Sequence, residues 1–466
     1  MTTSPARRKA LLIAAVALVV IAGAATAALL GSGHDAATEA ELQRITQTAV
    51  ELQNFPHERP PLPTGTLQDG AAADFYATAW EQFEPVHKRN DNIEEALDTA
   101  FAEVWLVEPG AVTTLAPACA SLPDVAPAAR PHLVGVHNDV CEALNEVQPT
   151  LNALFDGTRQ RRNTSPFHPW NTWMYLGGGR SREASVFREL ATLALIDARL
   201  RPVSTTIERT LALLRFAADL HAGGTVLGAI TGASLRIRAT GALRQLLDEP
   251  LTDDDLQQLL TGLAHVRRHT TTPGTPFETE YVVVMATYAR WLGADLPVVP
   301  GGLPIPAEHL EDADIARFVV DRAPLWRSLI DVQSEPLLTR LAAYARIDDA
   351  IEAGDHELDA LLVRYRWADY DLLITQSVAH VDLIALAAAD RLYRRRTGAP
   401  AETIDLLRTV APDLVTEDPL TSQPYGVQEL DGERVIFSDA VRTEVYTRLG
   451  IGEVAASRLA IGGGGI

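Results

Sequence analysis

The chain has 466 residues, 47% of them hydrophobic and 22% charged, enough apolar material for a sizeable core and for two or three domains rather than a disordered tail. Forty basic side chains stand against 61 acidic ones, a formal charge of −21; a surface of that sign repels nucleic acid and anionic head groups, so no nucleic-acid partner is expected. Lysine occurs only at Lys9 and Lys88, which removes phosphate-loop and Schiff-base lysines from consideration unless Lys88 serves, and the preference for Arg and Ala reads as a GC-rich bacterial coding bias.

Ala10 to Leu30, ALLIAAVALVVIAGAATAALL, is a run of 21 residues without a charge, and it follows Arg7, Arg8 and Lys9. About 20 apolar residues at a rise of 1.5 Å cover the ~30 Å hydrocarbon core of a bilayer, and a basic flank before them is held on the cytoplasmic side. The run therefore predicts a single-pass transmembrane helix in the bacterial inner (cytoplasmic) membrane. The bilayer is its partner through residues 10–30, and the bulk of the chain is expected to be periplasmic or otherwise extracytoplasmic. A cleaved signal peptide is the alternative: its apolar region is usually only ~7 to 15 residues, but Ala25-Thr26-Ala27 offers a small-residue cleavage site. Without the three basic residues before the anchor, 37 basic side chains face 61 acidic ones, a formal charge of −24.

Residues 1–33 thus form a cytoplasmic tip and anchor. From Thr38 to Gln53, Leu42, Ile45, Ala49 and Leu52 fall on one face, so a helix is expected to continue out of the membrane as a stalk toward the break at Pro56 to Pro63. The segment 34–155 reads as an N-terminal helical domain. AAADFYATAWEQF places Ala72, Phe75, Tyr76, Ala79, Trp80 and Phe83 at helical spacing, and NIEEALDTAFAEVW does the same with Ile93, Leu97, Ala100, Phe101 and Val104. Cys119 and Cys141 are the only cysteines. In an oxidising compartment such a pair is expected to be a disulfide; the alternative is zinc held together with His132 and His137, although the spacings of twelve, four and three intervening residues lack the usual CxxC or HxxxH pair.

Between 156 and 182 the periodicity is lost and arginines stand next to Trp170, Trp173 and Tyr175. This segment reads as a linker whose aromatics pack on its neighbours, with a grip on an envelope glycan or peptide as the functional alternative. Residues 183–396 carry one helical signal after another. Thr205 and Glu208 form a capping-box pattern, and Thr252 followed by Asp253, Asp254 and Asp255 marks another helix start. Further helices are expected at about 277–292, 308–320, 335–352, 356–373 and 377–396, the last closed by Arg394, Arg395, Arg396 and Gly398. No fixed repeat period emerges, which indicates an irregular stack of helical hairpins. Gly224, Gly228 and Gly232 recur at four-residue steps and predict a close helix crossing, with a turn at Gly223-Gly224 as the alternative for the first of them. The final segment, 397–466, holds a short helix and VQEL-DG-ERVIFS, in which Asp431-Gly432 signals a two-residue hairpin. That turn would pair Val427 with Ile436, Gln428 with Val435, Glu429 with Arg434 and Leu430 with Glu433, burying Val435 and Phe437. The IGGGGI end is expected to fray. The predicted fold is mainly α, comprising a transmembrane helix, a helical bundle, a hairpin stack and a small C-terminal β-hairpin module.

Three stretches, RPPLPTGTLQDGAAADFYATAW, LRFAADLHAGGTVLGAITGASLRIRATGALRQLL and LYRRRTGAPAETIDLLRTVAPDLVTEDPLTSQPYGVQELDGERVIFS, together resemble uncharacterised membrane-anchored helical proteins of bacterial envelopes. The last is also loosely similar to the ends of type II secretion pseudopilins, with TGxxP after a helix, a DP turn and a hairpin ending in Ser, although the N-terminus lacks the prepilin cleavage pattern. The resemblance implies an extracytoplasmic location and no catalytic residue.

Chemistry is sparse in the sequence. His265-Val-Arg-Arg-His269 sets two imidazoles one turn apart but lacks the Glu of HExxH and holds arginines that would repel a cation, so both histidines are expected at the surface. Asp253 to Asp255, Glu278 and Glu280 read as helix-start charge and solvated faces. No GxSxG, SxxK, GxGxxG or phosphate loop occurs. No catalytic, cofactor or metal residues are assigned and no cofactor is expected. A binding or assembly role with an envelope protein partner is the expectation, and an envelope hydrolase whose site is assembled only in space is the alternative.

Overall fold

The computed structural model describes residues 35–53, 57–58, 67–89, 138–163, 165–166, 180–222, 224–270, 274–293, 311–353, 367–430, 433–438 and 461–462, with single positions at 97, 100, 101 and 121. The predicted membrane anchor, Cys119, the two histidines between the cysteines, the aromatics Trp170, Trp173 and Tyr175, and the turn Asp431-Gly432 lie outside them. The described protein is mainly helical, with a small strand-containing C-terminal region, as expected from the sequence.

Helix α1 (Ala36–Gln53) has its own start, because the Asp35 carboxylate accepts from the Thr38 N–H at 2.8 Å and so caps the first turn. It is no free stalk: Leu42, Ile45 and Ala49 are buried in the fold, since their stripe fits between two later helices. Helix α2 (Ala72–Arg89) buries Ala72, Tyr76, Ala79 and Phe83, the face its spacing predicts. Leu97 and Ala100 are buried too. Two short helices follow, α3 (Asn138–Glu146) and α4 (Gln148–Gly157), and α4 lies along α2.

Three strands were not foreseen. β1 (His57–Glu58), β2 (Gln68–Ala71) and β3 (Gln160–Asn163) form a small sheet in the order β1-β3-β2, antiparallel on one side and parallel on the other. The QRRN of β3 shows no apolar alternation. Gln160 is buried by hydrogen bonds instead: its amide donates to Gln68 Oε1 and to the Asp156 carbonyl, each at 2.9 Å. Part of the expected linker is thus ordered and inward-facing.

The hairpin stack comprises α5 (Arg180–Arg199), α6 (Val203–His221), α7 (Val226–Leu247), α8 (Asp253–His269), α9 (Gly274–Trp291), α10 (Asp312–Asp331), α11 (Leu337–Glu352) and α12 (Trp367–Thr397). The Thr205–Glu208 capping box does not form. α6 begins earlier, behind the extended Pro202, and the Thr206 hydroxyl donates to the Ala198 carbonyl while Glu208 pairs with Arg159. The box before α8 does form, reciprocally between Thr252 and Asp255. The two helices expected at 356–373 and 377–396 are not separate: α12 runs unbroken through that gap, and the Ser377 hydroxyl donates back to the Ile374 carbonyl without interrupting the helix.

Two hydrophobic cores share the long helices α7 and α12. One gathers α2, α4, α5, α6, α8 and the C-terminal module around Leu235–Leu247 of α7 and the later part of α12. The other gathers α1, α9, α10 and α11 around Val226 and Trp367, the first residues of α7 and α12. Where the two meet, Ala229 and Ala233 of α7 pack on Ile374 of α12. α12 is long and apolar enough to cross a membrane, but most of it is buried inside the fold, and its three buried acidic residues, Asp371, Asp382 and Asp390, each face an arginine at 2.6–2.9 Å. It is the central core helix.

Within the second core, α9 runs antiparallel to α10, with Tyr288 stacked edge-on to Phe318 and Tyr281 beside Trp326. Tyr281 also donates to Glu41 near the start of α1.

The C-terminal module begins after Gly398, which has φ +77° and donates its N–H to the Arg394 carbonyl, closing α12 as expected. The expected short helix is the 3-10 turn Ile404–Thr409. β4 (Glu417–Asp418) and β5 (Gln423–Pro424) form a small ribbon. β6 (Gly426–Leu430) and β7 (Glu433–Phe437) pair in the predicted register, with Gly426 opposite Phe437 extending it. The expected burial of Val435 and Phe437 holds. Ile461 and Gly462, expected to fray, instead form β8 (Ile461–Gly462), which pairs along the free edge of β7. Ile436 is buried as well as Val435 and Phe437, since β7 is now a central strand packed on α12.

Candidate functional site

The residues assigned to chemistry or ruled out from sequence do not come together. Asp253 to Asp255 sit at the exposed start of α8, where Asp255 caps and Asp253 pairs with Arg395 at 3.3 Å. Glu280 is not on a solvated face: it is buried and accepts from the Val226 N–H at 3.2 Å, capping the start of α7. Glu278 is half-buried, and burial followed by repulsion from Glu51 raises its pKa. His265 also departs from expectation. It is fully buried, stacked edge-on against His269 with ring centroids 4.5 Å apart, because its position on α8 faces the core. Gly232 marks the predicted close crossing, since a Cβ there would lie 2.3 Å from the Ala217 carbonyl oxygen of α6. Gly224 belongs to the turn after α6 instead. Among the described residues no three His, Cys, Asp or Glu side chains converge as a metal would require.

The structure draws a different group together. The face of α8 carrying Leu260, Thr261, Ala264 and Arg267, the α12 residues Asp382 and Ala385, and the segment from Val410 to Val415 enclose a cleft of about 100 Å³. Helical spacing explains the walls: positions 260, 264 and 267 on α8 and 382 and 385 on α12 each fall on one face. In the wall, Arg267 Nε donates to both Asp382 oxygens, at 2.9 and 3.3 Å. The Tyr425 hydroxyl reaches the same carboxylate from the C-terminal module at 3.4 Å. Behind it Asp418, fully buried, accepts from the Leu420 N–H, the Thr421 hydroxyl and the Ser438 hydroxyl, holding the β4–β5 turn and the end of β7 together.

Burial dominates the electrostatics. It raises the Asp382 pKa to about 7 against the opposing pull of Arg267 and Tyr425, and Asp418 pushes in the same direction as burial. The Tyr425 phenol is held well above its usual range by burial and then by the two carboxylates. Arg236, fully buried on α7, donates to the Ser377 hydroxyl, and burial with repulsion from Arg267 lowers its pKa to about 10. His380, outside the cleft lining, is brought down to about 4 by burial and Arg244 and is neutral at pH 7.

Sequence reasoning passed over Asp382 and Tyr425. The available signal was one acidic residue in the otherwise apolar stretch VAHVDLIALAAA, which a buried helix tolerates only if the charge is paired or protonated.

No protein-family model, no curated protein and no solved structure matches this chain.

Proposed function

We propose that the chain is a membrane-anchored extracytoplasmic helical protein with a binding or assembly role in the bacterial cell envelope, held in the inner membrane by residues 10–30 and engaging an envelope protein partner. The observation that carries the reading is the size and lining of the cleft between α8, α12 and the C-terminal module. About 100 Å³ admits a few waters, at about 30 Å³ each, or one medium-sized side chain, well short of the ~300 Å³ at which pockets for drug-sized ligands begin. A mostly apolar socket with a charged pair in one wall matches the way a partner's anchoring side chain is received at a protein interface.

Thr261 is exposed at the cleft, so Thr261→Trp is expected to fill the opening while leaving the melting temperature within about 2 °C of wild type. Crosslinking followed by pull-down from solubilised membranes should then lose a partner that the wild type retains. An unchanged partner set would reject the cleft as the contact.

A second reading rests on Asp382. A carboxyl with a pKa of about 7 lining a cleft is poised for general acid–base work, as an envelope hydrolase acting on a small substrate would need. Loss of a hydrolytic activity in Asp382→Asn with partner binding intact would favour it.

The disulfide belongs to the same extracytoplasmic reading. Cys141 is fully buried on α3, and among the described residues no cysteine is free. We propose that it pairs with Cys119, closing a loop of about 20 residues worth around 3 kcal/mol in the chain-entropy model. Alkylation of both thiols in freshly isolated, unreduced protein would overturn this.

A further inference from the structure

We infer that the cleft between α8, α12 and the C-terminal module receives an acidic side chain of the envelope partner, a glutamate whose carboxylate lands on the Arg267 guanidinium. The inference rests on the partner-binding reading above and adds the chemistry of the residue that the cleft accepts.

Two arginines from neighbouring helices are clamped on carboxylates of α12, and only one of them is used up. Arg340 commits every nitrogen inside the protein: Nε and Nη2 donate to Asp371 at 2.6 and 3.0 Å, Nη2 also to the Thr375 hydroxyl at 3.0 Å, and Nη1 to the Glu335 carbonyl at 2.7 Å. Its side chain is 8% exposed, as suits a structural clamp. Arg267 is held differently. Nε alone donates, to both oxygens of Asp382, and among the described residues Nη1 and Nη2 make no hydrogen bond. The side chain is 29% exposed and lines the cleft. Asp382 therefore fixes the plane of the guanidinium by its inner edge, and the terminal nitrogens remain as donors on the cleft side. Planar and charged at any physiological pH, they match the two oxygens of a carboxylate.

The surroundings favour an anion over a neutral acceptor. Arg236, fully buried on α7, bonds the Ser377 hydroxyl, while its Nε and Nη2 have no partner and no acidic side chain pairs with it among the described residues. Arg236 and Arg267 repel one another, so a second cation stands behind the same wall. The carboxylates nearby are already engaged. Asp382 is divided between Arg267 and the Tyr425 hydroxyl, and Asp418 is turned to its own loop by the Leu420 N–H and the hydroxyls of Thr421 and Ser438. On the rim, Asp413 faces Arg268 at 3.3 Å. Size and lining then choose the carrier of the charge. A cleft of about 100 Å³ holds the methylenes and carboxylate of one glutamate, with the methylenes against Leu260, Ala264 and Ala385. A chain end would bring a peptide N–H into the same apolar walls and leave it unpaired, a cost that a side chain avoids.

The test uses ligand-observed NMR on the purified full chain in an uncharged detergent. Butyrate models the glutamate side chain, butyramide is its neutral isostere, and N-acetylalanine models a chain end. Butyrate is expected to bind about tenfold more tightly than either of the others, as a charge-assisted fork would give, and Thr261→Trp should abolish its binding. Arg267→Lys, which keeps the charge and removes the fork, should weaken butyrate several-fold at an unchanged melting temperature; should that variant fail to fold, the three ligands on the wild-type chain decide the matter. Equal binding of butyrate and butyramide, tighter binding of N-acetylalanine, or butyrate binding that survives Thr261→Trp would each overturn the acidic side chain as occupant. If Thr261→Trp loses a partner while butyrate and butyramide bind alike, the cleft remains the contact and only its acidic occupant is wrong. A partner retained by Thr261→Trp would overturn the socket on which the inference rests.

Discussion

Asp382 shows what one misplaced charge does to a helix. Folding takes its pKa from 3.8 to about 7, so between those values the folded chain holds a proton that the unfolded chain has released. Stability contributed by this group is fully present below about pH 4, falls as pH rises through that window and levels off above about 7. At about 1.4 kcal/mol per pKa unit the window is worth on the order of 4 kcal/mol. Asp382→Asn, uncharged at every pH, is expected to remove most of that slope. Urea denaturation at pH 4.5 and 7.5 would show it as a smaller difference between the two conditions than in wild type; an equal difference would mean that the carboxylate is not the titrating group. Asp371 receives Arg340 through two hydrogen bonds, at 2.6 and 3.0 Å, and Tyr344 through a third, and this cluster ties α11 to α12.

Among the elements, the β6–β7 pair was the most legible and its surroundings the least. A two-residue Asp-Gly turn admits one register, so the cross-strand partners could be read in advance. What lies along the other edge of β7 could not, because β8 arrives from 24 residues downstream and its two residues carry no strand pattern. Phe437 lies over Gly426 on the neighbouring strand, where a Cβ at position 426 would stand 2.5 Å from its ring. Phe437→Ala is expected to destabilise the protein by about 3 to 5 kcal/mol, measured by chemical denaturation. A loss below about 1 kcal/mol would mean that the module contributes little to the fold. The same contrast between local and distant signals runs along the chain. Thr252 with Asp255 announces the start of α8 because both partners lie within one turn. Thr205 with Glu208 misleads, because Pro202 has already begun α6 and Glu208 is drawn to Arg159. β3 was invisible because its buried residues, Gln160 and Asn163, are polar.

At the scale of the whole molecule, the part that α1 plays is decided by what receives it. A periodic face of Leu42, Ile45 and Ala49 was readable, but its destination was not, since the surfaces that receive it lie more than 200 residues away on α9 and α10. The structure gives α1 a structural duty: it packs in the second core and supplies Glu41 to Tyr281 and Arg327. Removing it would uncover apolar surface and leave Arg327 without the carboxylate it faces, a loss that for a buried pair costs about 3 to 5 kcal/mol and for this partly exposed arginine somewhat less. Chains beginning at Asp35 and at Asn54 therefore separate two descriptions. If α1 is part of the body, the chain from Asp35 melts cooperatively, and the chain from Asn54 aggregates or loses its near-ultraviolet circular dichroism. If both chains melt alike, α1 only rests on the fold and adds nothing to its stability.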